Sequence, residues 1–162
     1  MIPVYQTIFK AGSGDCFSAC LASLLELPLD SIPKFRRDET KEVSMMDAAR
    51  TWLKERFGLS IITVQMAEEV ETGTDYRIIN AFSDTPCIAG GVSPNNPGGH
   101  HAVVGVINDL EQFTMTHDPN PSNLGIVGDP VNLYFLVPMN PAKNIFRPGG
   151  YLHQFRSLRP QQ

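Results

Sequence analysis

A chain of 162 residues, 42% hydrophobic and 19% charged, fits one domain with a proper core and is not disordered by composition. Seventeen acidic against thirteen basic residues leave a formal charge of −4, which argues against a nucleic-acid partner because no domain-wide positive field would draw phosphates. No apolar run reaches the ~18 residues that a membrane span needs, and Met1 to Gln6 carries neither the basic start nor the apolar stretch of a signal peptide, so a soluble, cytoplasmic protein with no membrane partner is expected.

Val4 to Phe9 has a strand-like composition. A breaker cluster follows, Ala11-Gly12-Ser13-Gly14-Asp15, and then Cys16 to Leu27 reads as a helix. Apolar residues at 17, 20, 21, 24, 25 and 27 recur at helical spacing, Asp15 stands at the N-cap position, and Pro28 stops the run. Leu29 to Phe35 is a tight connection, and Arg36 to Glu42 a charged loop. A second helix follows, in which Val43, Met46, Ala49, Trp52, Leu53 and Phe57 form the stripe and Gly58 the stop. Leu59 to Val64 is a strand, and residues 66 to 84 are ambiguous, with Tyr76 to Ile79 either a short strand or a turn.

The second half changes character, with many of the thirteen glycines and thirteen prolines falling there. Pro86 to Val92 is a strand that enters the loop Ser93 to Gly99, and His101 to Ile107 is another. Asn108-Asp109 turns the chain into Gln112 to Thr116, which pairs with it as a hairpin. A loop from His117 to Pro130 and a strand from Leu133 to Val137 complete a domain spanning residues 1–140, and residues 141–162 form an irregular, Pro-rich tail. The order predicts an α+β fold: N-terminal helices packed on an antiparallel sheet formed mainly by the C-terminal half.

Three cysteines cannot all pair, and a bridge between Cys16 and Cys20 would close almost no loop, so each needs its own explanation. Cys16 opens a helix after a glycine-rich loop. Unsatisfied N–H groups and the positive end of the helix dipole there favour a thiolate, while the neighbouring Asp15 opposes it. Cys20, one turn on, lies in the apolar stripe and reads as core. A nucleophilic thiol needs an imidazole. His100 and His101 stand at the mouth of an apolar strand that sends them to opposite faces. His101, attached directly to the apolar run, is the expected base, with His100 as the fallback. Asp118, before Pro119 at the end of the paired strand, is the group that would accept a hydrogen bond from the imidazole. A turn near Asn108-Asp109 would set residues 116–118 abreast of residue 101. Gln6, upstream of the cysteine loop, could join the Cys16 N–H in an oxyanion hole.

Gln6, the run Gly14-Asp15-Cys16-Phe17-Ser18-Ala19-Cys20-Leu21, His101-Ala102-Val103-Val104 and Asp118-Pro119 together resemble the papain-like cysteine peptidases, and within them the bacteriocin-leader (double-glycine leader) peptidases. The resemblance spans about residues 4–137. It implies a papain-like fold, a catalytic set of Cys16, His101, Asp118 and Gln6, a peptide or protein substrate, and no cofactor or metal. Ten positions separate Gln6 from Cys16, more than is usual in that family, because of the Gly-Ser-Gly loop. The expected activity is hydrolysis of an amide or isopeptide bond through a thioester; deamidases and acyltransferases use the same machinery. Two other readings stand beside it. One is a metal site drawn from Cys16, Cys20, His100, His101, His117 and Asp118, although Cys-x₃-Cys on a helix is not a zinc-knuckle spacing. The other is a binding or inhibitor protein that keeps the fold without turnover. The loops 93–99 and 119–130 are expected to wall the substrate groove.

Overall fold

The computed structural model describes residues 1–10, 12–36, 43–66, 84–108 and 112–139. The fold is α+β. Helix α1 (Cys16–Leu25), a single 3₁₀ turn (Leu29–Ser31) and helix α2 (Met45–Phe57) precede strands β1 (Leu59–Gln65), β2 (Pro86–Val92), β3 (His100–Ile107), β4 (Phe113–His117) and β5 (Val127–Pro138). The strands form one antiparallel sheet in the order β1-β5-β2-β3-β4. Tyr76 to Ile79 and the tail 141–162 lie outside the described residues. No helix among the described residues is long and apolar enough to cross a membrane.

Alternation along the strands divides the core between the two faces of the sheet. On one face Ile88, Ala102, Val104 and Leu136 pack against α1 and α2 through Leu21, Leu24, Leu25, Ala49 and Leu53. The intervening residues Cys87, Ala89, Val103, Leu133 and Phe135 form a second cluster on the other face. Each fully buried Leu, Ile or Phe contributes roughly 1.5–3 kcal/mol.

Helix α1 is the centre of the molecule. Every residue from Phe17 to Leu25 is buried, the two serines included. A helix enclosed on all sides must satisfy its polar side chains against whatever encloses it. Ser18 Oγ donates to the Pro33 carbonyl at 2.9 Å and accepts from the Phe35 N–H at 3.0 Å. Ser23 Oγ accepts from the Val4 N–H at 2.9 Å. One serine thus ties down the segment that leaves the helix, and the other the segment that precedes it. The helix ends two residues before the expected Leu27: Glu26 takes a left-handed conformation (φ 53°) and closes the last turn on Ala22 and Ser23. Helix α2 begins at Met45, so Val43, expected in its stripe, lies outside it and exposed, and Ser44 Oγ caps the helix by accepting from the Asp47 N–H at 3.1 Å.

Three expectations are corrected. Val4 to Phe9 is not a strand, because its polar groups bond to side chains and a loop carbonyl instead of a neighbouring ladder: Val4 to Ser23 and His117, Gln6 to Pro119, Thr7 and Ile8 to Asp15. The last strand begins at Val127, where it pairs with Val92, so the preceding loop ends at Ile126 rather than Pro130. The β3–β4 register is also displaced. His117 opposes Val104 and Met115 opposes Gly105, leaving Thr116 as an extra residue, so Asp118 is not abreast of His101 in the ladder. Gly105 permits the close approach at this bulge, since a Cβ there would collide with the Phe113 ring and the Thr114 carbonyl.

Candidate active site

The site lies where the N-terminus of α1 meets the start of β3. Cys16 is the first residue of the helix and only partly buried, whereas Cys20 and Cys87 are buried and all three thiols are free. The Cys20 thiol points into the core and donates to the Ala102 carbonyl at 3.3 Å. Burial, together with the nearby Cys16 and Asp118 charges, holds Cys20 well above the usual thiol range, and burial pushes Cys87 up to about 12. Both are therefore neutral thiols at physiological pH, and Cys16 alone combines exposure with a polar setting.

His101 is buried and His100 exposed, as strand alternation requires. The His101 Nε2 meets Asp118 Oδ1 at 2.7 Å. A carboxylate only accepts, so Nε2 carries the proton and Nδ1 keeps its lone pair; Cys16 lies close enough to the ring to favour its protonation. Burial opposes the charged ring, but the hydrogen bonds and charges of Cys16 and Asp118 outweigh it, and His101 titrates above the ordinary histidine value.

Asp118 is fixed from three directions. Beyond His101, its carboxylate accepts from the Asn120 N–H at 2.8 Å and the Gly125 N–H at 2.8 Å. The loop that follows β4 is thus wrapped around the carboxylate, which brings Asp118 to His101 although the ladder does not. That loop is joined to the 93–99 loop by Asn95 Nδ2, which donates to Ser122 Oγ at 3.0 Å. The two expected groove walls are therefore bridged to each other.

Gln6 is buried, and its backbone N–H donates to the Pro119 carbonyl at 2.9 Å, one residue beyond Asp118. Its side-chain Oε1 is buried without a hydrogen-bond partner among the described residues. A buried acceptor left without a donor is costly. The Gly-Ser-Gly loop does not carry Gln6 away: Ser13 N–H turns back to the Lys10 carbonyl at 3.2 Å and Asp15 N–H to the Ile8 carbonyl at 3.3 Å, with Gly12 at φ 68°. This stretch folds into a closed excursion, with Ile8 and Asp15 as neighbours.

Asp15 departs from its expected role. It stands at the N-cap position, yet its side chain makes no cap hydrogen bond. Its carboxylate instead accepts from the Thr7 and Ile8 N–H groups and from Thr7 Oγ1. Sequence reasoning placed it beside the thiol as an opposing charge; the alternation of donors in residues 7 and 8 gave no sign of this arrangement. His117 points away from the imidazole, its Nε2 bonded to the Val4 carbonyl at 2.9 Å and its ring edge-on to Tyr5. Among the described residues, no group of three or more His, Cys, Asp or Glu side chains converges as a metal site would require. Four sequence-expected residues, Cys16, His101, Asp118 and Gln6, are thus brought to one end of the sheet. Comparisons with protein-family models, curated proteins and solved structures find no match to this chain.

Proposed function

We propose that the protein is a cysteine-dependent hydrolase of the papain-like kind, acting on an amide or isopeptide bond in a peptide or protein. The observation that carries the reading is the buried His101 bonded to Asp118 at 2.7 Å, with the partly exposed Cys16 thiol near enough to act on the same ring. Cys16 gives its proton to Nδ1 of His101, and the sulfur attacks the carbonyl carbon. The tetrahedral oxyanion forms at the head of α1, where the first-turn N–H groups are free and the dipole is favourable. His101 returns the proton to the departing amine, leaving a thioester on Cys16. Water then attacks the thioester, with His101 accepting its proton, and a carboxylic acid and the free thiol result. Asp118 holds the ring in the tautomer that presents Nδ1 to sulfur. The three free thiols accord with a cytoplasmic setting.

The test is acylation by an activated ester, p-nitrophenyl acetate, with the adduct located by mass spectrometry. The reading expects a thioester on Cys16 whose formation falls by about 10³-fold or more in His101→Ala. No adduct on Cys16, or one that forms equally fast without His101, overturns it and leaves a protein that binds without turnover.

A further inference from the structure

Asp15 is 1% exposed, and a buried carboxylate is costly unless its bonds serve a purpose. Capping α1 is not that purpose, since the side chain makes no cap bond. Instead it is bonded to Thr7 N at 3.1 Å, Thr7 Oγ1 at 2.8 Å and Ile8 N at 2.9 Å, all on the two residues that follow Gln6. On its other side Gln6 is tied to Pro119 at 2.9 Å. The residue preceding the thiol therefore grips the two residues after Gln6, and the residue following Asp118 grips the buried Gln6 itself.

We propose that Asp15 is a positioning residue that sets Gln6 as the side-chain donor of the oxyanion hole. The inference rests on the acyl-transfer reading above and adds the device that places its donor. Charge-assisted bonds from backbone N–H groups are short and directional, so a carboxylate fixes residues 7 and 8 more firmly than a neutral acceptor would. The donor to the charge that develops only during reaction is the Gln6 side-chain NH₂, not the buried Oε1. The clamp also explains how the Gly12–Gly14 excursion can be accommodated: Asp15 engages Thr7 and Ile8 directly, independent of the length of chain between them.

Two reactions of one thiol separate this role from a merely structural one. Acetylation by p-nitrophenyl acetate passes through an oxyanion; alkylation by iodoacetamide does not. Gln6→Ala should slow acetylation of Cys16 by about 10–100-fold and leave alkylation within about twofold. Asp15→Asn, which sets an amide NH₂ against N–H donors, should slow acetylation by about tenfold at saturating ester, with alkylation likewise preserved. In the Gln6→Ala background, Asp15→Asn should add nothing, because it acts through a group already removed. Additive losses, or equal losses in acetylation and alkylation, would overturn the positioning role while leaving the hydrolase reading intact. Absence of acetylation in the wild type would overturn both. If Asp15→Asn fails to fold, Thr7→Ala, which removes only the Oγ1 bond, must show the same selective loss at smaller size; unchanged acetylation there counts against the proposal.

Discussion

Asp118 meets His101 at 2.7 Å although neither faces the other across the sheet. The displaced register puts His117 opposite Val104, and the carboxylate reaches the ring because the loop after β4 folds around it, with the Asn120 and Gly125 N–H groups bound to its two oxygens. The loop, rather than the ladder, determines the alignment of the relay.

Asp118→Asn should therefore impair acylation more than folding. An amide oxygen still accepts from one of the two backbone donors, but the side chain can turn its NH₂ to the ring and no longer enforces the Nε2–H tautomer, and a loss of about 10²–10⁴-fold in Cys16 acylation is expected. Asp118→Ala should also lower stability by about 1–3 kcal/mol for each N–H left unsatisfied, read by chemical denaturation. Equal activity in Asp118→Asn and wild type would remove Asp118 from the mechanism.

His101 should leave a signature in the pH dependence of stability. Its folded value is raised above the ~6.5 of an unfolded histidine. The stability it contributes through charge is thus fully present below about pH 6.5 and fades as pH rises through the higher folded value. Thermal unfolding of wild type and His101→Asn from pH 5 to 9 should show a gap that is widest at the acid end and narrows upward. By NMR, the ring's midpoint should drop in Cys16→Ser and drop in Asp118→Asn, since each removes a group that favours the imidazolium.

Thiol labelling should be sharply selective. Iodoacetamide should modify Cys16 in the folded protein while Cys20 and Cys87 react only after unfolding, because both are buried and held neutral. Peptide mapping after brief labelling checks this, and early modification of Cys20 would contradict the placement of its thiol against Ala102.

Gly105→Ala should lower stability by about 1–3 kcal/mol or more, since the added methyl meets the Phe113 ring and the Thr114 carbonyl. Urea denaturation measures it. Gly98→Ala offers a contrast: nothing stands near its Cβ, and only the left-handed backbone (φ 77°) resists.

Much of the scaffold was legible because it is local. The stripe of α1, the Gly58 stop of α2, and the apolar run after His101 are short-range patterns that the fold preserves. Val4 to Phe9 was misleading because its composition is strand-like while its hydrogen bonds go to Ser23, Asp15, His117 and Pro119, partners up to more than a hundred positions away. The bulge at Thr116 was likewise invisible, since it follows from the close contact of Gly105 with Phe113 and Thr114. Cys16, His101 and Asp118 could be picked out by residue type and order. The clamp at Asp15 could not, because a carboxylate before a helix ordinarily signals a cap.

The excursion between Lys10 and Gly14 turns the chain out and back to the same place. Distance counted along the sequence is therefore a poor ruler for this corner of the molecule: Ile8 and Asp15, on either side of the excursion, are bonded at 3.3 Å. What the excursion leaves intact is local: an acidic residue directly before the cysteine, bonded to two consecutive amides upstream.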